Sequence, residues 1–149
     1  MITKLGKQKL EEKFQKLNDE YNRTLEDRGK AAEEGDLKEN SAYIFLGERA
    51  QVLSTQIAEI KQDLENSQIQ IPPTQTDTIV FGSRIKIRFE SDGREMDITL
   101  VGKNDSNLNP GWISIESPIG QAILNQKKNS RVSVNDQFVV ILDISIGEI

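Results

Sequence analysis

Four carboxylates crowd one short stretch of the chain, Glu33, Glu34, Asp36 and Glu39, with Lys38 the only base among them. Asp36 and Glu39 are three residues apart, a spacing that sets two side chains on one side of a helix start. Carboxylates so placed can share a divalent cation or orient its waters. Magnesium commonly takes one or two protein carboxylates and completes its shell with water and phosphate oxygens. Two acids therefore make a supplementary half-site, useful where a partner already holds a first metal and a phosphodiester. Ordinary helix capping explains part of the same stretch. Gly35 suits a left-handed helix C-terminus, Asp36 an N-cap, and Glu39 the return arm of a capping box. Capping gives no reason for Glu33 and Glu34, which oppose the dipole of a preceding helix, nor for the apolar Leu37.

The elements on either side must hold these acids. Leu10, Phe14, Leu17, Tyr21, Thr24, Arg28 and Ala31 follow alternating steps of four and three. The same rhythm returns at Tyr43, Leu46, Ala50, Leu53, Ile57, Ile60 and Leu64. Two such stripes joined by a short turn predict an antiparallel α-helical coiled coil, with Thr3 as the first N-cap. Each arm is about 28 residues, so the hairpin is roughly 40 Å long and carries its acidic turn far from its base. The seam weakens near the turn, where Thr24 and Arg28 replace large apolar groups.

Beyond residue 68 the pattern changes. Pro72 and Pro73, among several Gln and Thr, mark a linker. Strict alternation starts at Arg84–Phe89, and Glu95–Val101, Trp112–Ile115, Arg131–Val134 and Phe138–Ile146 are further strand candidates. Asp92-Gly93 and Asn109-Pro110-Gly111 supply turns, and Ser117-Pro118 opens a short helix through Leu124. Trp112 is read as core. The fold class is α+β: a coiled-coil hairpin over residues 1–70, a linker over 71–78, and a small, mostly antiparallel sheet domain with one short helix over 79–149.

Composition excludes several kinds of chemistry. The chain of 149 residues has no cysteine and no histidine, so it offers neither a thiolate nor an imidazole base or zinc ligand. Its net charge of −5 lacks the basic excess by which proteins grip duplex DNA, so independent DNA binding is not expected. No apolar run reaches the roughly 18 residues of a membrane span, and no signal-peptide core opens the chain; a cytoplasmic location follows as the expectation.

Gly35-Asp36-Leu37-Lys38-Glu39-Asn40, followed by Tyr43, resembles the tip of the bacterial transcript cleavage factors of the GreA/GreB family. Ile2-Thr3-Lys4-Leu5-Gly6 with Lys9-Leu10-Glu11-Glu12 resembles that family's start. Val80-Phe81-Gly82-Ser83 and the run from Ile113 to Gly120 resemble its two most recognisable C-terminal stretches. The resemblance implies an FKBP-like C-terminal domain, without prolyl isomerase activity, that docks on RNA polymerase. It further implies that the coiled coil enters the polymerase secondary channel and that the tip acids assist the partner's active site. Carried over position by position, Asp36 and Glu39 help hold the second magnesium, shared with the polymerase, and its attacking water. Asn40 and Tyr43 support the tip, and Arg49 is a candidate contact for the nascent RNA 3′ end. The factor has no active site of its own; the polymerase cuts the backtracked transcript.

Five places depart from the family pattern, among them Ile44-Phe45-Leu46-Gly47-Glu48-Arg49 after the tyrosine and the last residues of the chain. Ala42 stands where many members have an acid. Asn125 stands where glycine is usual, and Lys128-Asn129-Ser130-Arg131 replaces a glycine–acid turn. Two alternatives therefore stand beside a cleavage factor: a channel-occupying regulator that does not promote cleavage, and a generic coiled-coil adaptor.

Overall fold

The computed structural model describes residues 1–35 and 40–149. It divides into two compact units, one formed by Gln8–Asn66 and the other by Met1–Lys7 together with Ser67–Ile149.

The first unit holds most of helix α1 (Lys4–Ala32) and all of α2 (Ser41–Asn66). Every position of both apolar stripes is buried or half-buried, with Leu10, Thr24, Ala31, Ala50, Leu53 and Ile60 the most enclosed. Arg49 on α2 reaches Glu20 on α1, Tyr43 lies under Arg28, and Asn40 reaches Ala31. Partner numbers fall on one helix as they rise on the other, so the helices run antiparallel. Helices this long and polar are stable because their seams zip together, not through isolated helical propensity.

In the second unit, strands β1 (Ser83–Phe89), β2 (Glu95–Val101), β3 (Trp112–Ser114), β4 (Arg131–Val134) and β5 (Gln137–Ile146) form one sheet, ordered β3-β2-β1-β5-β4. Helix α3 (Pro118–Ile123) starts at the Ser117 cap, whose Oγ accepts from the Gly120 amide. The sheet is mixed rather than wholly antiparallel, because β3 runs parallel to β2. The connection over residues 102–111 is too long for a hairpin and returns the chain to the end of the sheet where β2 began.

Ile85 and Ile87 of β1 face inward with Ile98 and Leu100 of β2, Val139, Ile141 and Ile144 of β5, and Ile123 of α3. Simple alternation would put Ile144 on the other face from Ile141. Lys86 pairs with Asp143 while Ile87 pairs with Ile141, so Leu142 is an extra residue, and this bulge returns Ile144 to the core. At the end of β2 alternation stops, and residues 98–101 are all buried. There Val101 packs into a second cluster with Phe81 and Trp112 on the opposite face.

The first residues of the chain are stitched into this unit. Ile2 bridges Ile69, with backbone bonds from Ile2 N to Gln68 O (3.0 Å) and from Gln70 N to Ile2 O (2.8 Å). Asp105, fully buried, accepts from the Thr3 amide (3.1 Å), the Thr3 hydroxyl (2.7 Å) and the Gly102 amide (3.0 Å). The Thr3 hydroxyl accepts in turn from the Gly6 amide (2.9 Å), capping α1 as expected. A Cβ at Gly6 would overlap Asp105 Oδ1, so glycine is required by the close approach.

Candidate functional site

The candidate site is the junction between α1 and α2. Asp36 and Glu39, the two acids singled out from sequence, lie outside the described residues, as do Leu37 and Lys38. The flanking residues are described on both sides.

Helix α1 ends earlier than Gly35. Its last turn tightens after Ala32, with Glu33 N bonding Lys30 O and Glu34 N bonding Ala31 O (3.2 Å each). These are bonds to the third residue back, a common way to satisfy terminal carbonyls. Gly35 follows outside the left-handed region, so no left-handed glycine cap closes this helix. Glu33 and Glu34 are both exposed.

Helix α2 is capped by Asn40; the Asp36 cap expected from the sequence lies outside the described residues. Its Oδ1 accepts from the Tyr43 amide (3.1 Å), the third helical position, and its Nδ2 donates to Ala31 O (2.6 Å). One side chain thus satisfies an orphan amide of α2 and a terminal carbonyl of α1. Asparagine does this where aspartate cannot, because it carries both an acceptor and a donor.

Tyr43 is half-buried on the seam, and its ring lies beneath the guanidinium of Arg28, with Cζ 4.1 Å from the ring centroid. Asn40 and Tyr43 therefore come together, through the Asn40–Tyr43 bond. Arg49 is engaged elsewhere: its Nη2 lies 2.6 Å from Glu20 Oε1, in a pair about 40% exposed on both sides. Ala42 is exposed on the first turn of α2. Among the described residues, no three or more of Asp and Glu cluster so as to hold a metal ion, and no helix is long and apolar enough to cross a membrane.

Sequence reasoning took Arg28 for a weak point of the seam and passed over Gly47 and Asp105. A signal for the first two existed. An arginine at a seam position and a glycine inside the facing helix are two irregularities at matching levels of an antiparallel pair. Asp105 gave no signal, because its partner Thr3 lies about one hundred residues away.

In the sheet unit, Asn125 (φ 66°) and Asn129 (φ 69°) hold left-handed conformations. Asparagine is the side-chain-bearing residue that tolerates this best, which accounts for its standing where glycine was expected. Their amides bond Ile79 O (2.8 Å) and Ile141 O (2.7 Å).

Residues 1–69 match the family described as transcription elongation factor, N-terminal, and residues 74–145 match transcription elongation factor, GreA/GreB, C-terminal. The chain is 31% identical over 137 residues to the transcription elongation factor GreA of Alkalilimnicola ehrlichii, covering 89% of this chain and 86% of that protein. It is 34% identical over 136 residues to GreA of Syntrophomonas wolfei, covering 90% and 86%. The crystal structure of GreA factor homolog 1 of Thermus thermophilus aligns with a TM-score of 0.45 at 17% identity, covering 97% of each chain. A generic adaptor would match neither domain, whereas here both match in order along nearly the whole length: the chain belongs to the GreA/GreB family of transcription elongation factors.

Proposed function

We propose that this elongation factor binds RNA polymerase, inserts its helical hairpin into the secondary channel, and stimulates cleavage of backtracked nascent RNA by the polymerase active site. The observation that carries the reading is the ordered match of both family domains, on a chain whose turn carries Asp36 and Glu39. Those two acids supply carboxylate oxygens to a second magnesium held jointly with the polymerase. Hard oxygen donors, two in number, suit magnesium as a shared ligand set and are too few for a site of their own. When bound, such an ion lowers the pKa of its water and stabilises charge on the phosphodiester. Asn40 and Tyr43 hold the base of the turn, and the sheet unit supplies the docking surface on the polymerase. An RNA contact by Arg49 requires it to give up Glu20 or to share it. The factor alone hydrolyses nothing.

A second reading is favoured by Ala42, exposed on α2 where many relatives carry an acid: the hairpin occupies the channel without promoting cleavage. Stalled, backtracked polymerase with end-labelled RNA separates the two. Cleavage stimulation predicts shortened RNA with the native chain and little with Asp36→Asn/Glu39→Gln. Binding without shortening supports channel occupation, and absence of binding refutes both.

A further inference from the structure

Near the turn, two residues are each unfavourable alone. Arg28 occupies a seam position where an apolar side chain would pack, and its Nε is buried with no hydrogen-bond partner among the described residues. Such a group loses solvation without compensation. Gly47 lies inside α2, where glycine weakens a helix relative to alanine. Each accounts for the other. A Cβ at Gly47 would stand 2.9 Å from Arg28 Nη2 and 3.0 Å from its Cζ and Nε, so a side chain there would push the guanidinium off its present place. One turn before Gly47, Tyr43 presents its ring face to the same cation at 4.1 Å. The Tyr43 amide bonds Asn40, and Asn40 bonds Ala31 O, three residues beyond Arg28. The contacts close a loop from α1 to α2 and back.

We propose that Arg28 is a positioning residue, a guanidinium clasp on Tyr43 and Gly47 that fixes the first turns of α2, into which the acidic stretch feeds. Its functional half rests on the cleavage reading above; the clasp itself does not. A plain seam filler would need neither an aromatic face nor a glycine opposite, and arginine is a poor filler. Planarity matters here, because a flat guanidinium stacks on a ring and against backbone as an ammonium cannot.

The test uses the full chain with Gly47→Ala, Arg28→Lys and Arg28→Met. Gly47→Ala raises helix propensity while displacing the guanidinium, so stability and positioning move apart. The Arg28 Nε proton should exchange slowly with solvent, and the Arg28 Cδ protons should be shifted upfield by the ring, in the native chain alone. Exchange of the Tyr43 and Ile44 amides should quicken about fivefold or more in Gly47→Ala, at an undiminished melting temperature. With backtracked polymerase, maximal cleavage should fall at least about fivefold in Gly47→Ala and Arg28→Met, with the half-saturating factor concentration unchanged. Arg28→Lys should not rescue it. Native maximal cleavage in Gly47→Ala, once the ring shift is lost, overturns positioning. Unshifted, freely exchanging Arg28 signals in the native chain overturn the clasp. A native chain that binds polymerase without cleaving refutes the cleavage reading, and the amide exchange rates then decide the clasp alone: unchanged rates overturn it.

Discussion

Replacing Asn40 by alanine tests the junction most directly. The substitution removes two hydrogen bonds at once, the acceptor for the Tyr43 amide (3.1 Å) and the donor to Ala31 O (2.6 Å). Loss of an asparagine N-cap costs about 1 kcal/mol in a typical helix. Loss of the part-buried bond to a terminal carbonyl adds about 1 kcal/mol. The sum, about 2 kcal/mol, is a large fraction of what two zipped helices of this polarity have to spare. Urea unfolding followed by far-UV circular dichroism, which the two long helices dominate, reads it as a lower midpoint at unchanged slope. Asn40→Asp separates the two bonds. Aspartate keeps the acceptor for Tyr43 but cannot donate to Ala31, so it should recover about half of the loss. A midpoint for Asn40→Ala within error of the native value would refute the double cap. An Asn40→Asp variant as weak as the alanine would refute the capping half of the argument.

Three further outcomes follow from the sheet unit. Asp105→Ala leaves the Thr3 and Gly102 amides without their buried acceptor and should cost about 3 kcal/mol by denaturant unfolding, with Asp105→Asn milder. Asn135 (φ 50°) and Asp136 (φ 64°) form the two-residue turn between Val134 and Gln137, so Asp136→Gly should stabilise the chain by about 0.5 kcal/mol, measured as a raised urea midpoint. The forked bond from Arg131 (2.7 and 2.9 Å) holds the Glu90 carboxyl below its ordinary value. Its stabilising contribution is therefore complete above the ordinary glutamate pKa and disappears as pH falls through the depressed one. Carbon-detected titration should place Glu90 below ordinary glutamates in the native chain and return it to their range in Arg131→Gln.

Much was legible from local pattern. The stripes from Leu10 to Ala31 and from Tyr43 to Leu64 specify two amphipathic helices, because a side chain recurs on one helix face every three or four residues whatever lies opposite. The Thr3 and Ser117 caps and the alternation of Arg84–Phe89 are equally local, and each stands where the residues predict. The Asn40 cap of α2 shows where local reading ends. Its Oδ1 serves a neighbour three residues on, but its Nδ2 reaches Ala31 on the other helix, a partner that no local pattern names.

The amino-acid sequence alone thus determined the elements and their order, since these depend on neighbours within one or two turns of the chain. Tertiary structure decided the rest: the parallel β2–β3 pair, the Leu142 bulge that brings Ile144 inward, the buried Asp105 anchor, and Arg28 laid across Gly47. Each of these depends on a contact between residues far apart in the chain, and no periodicity within one segment encodes which distant group will stand opposite.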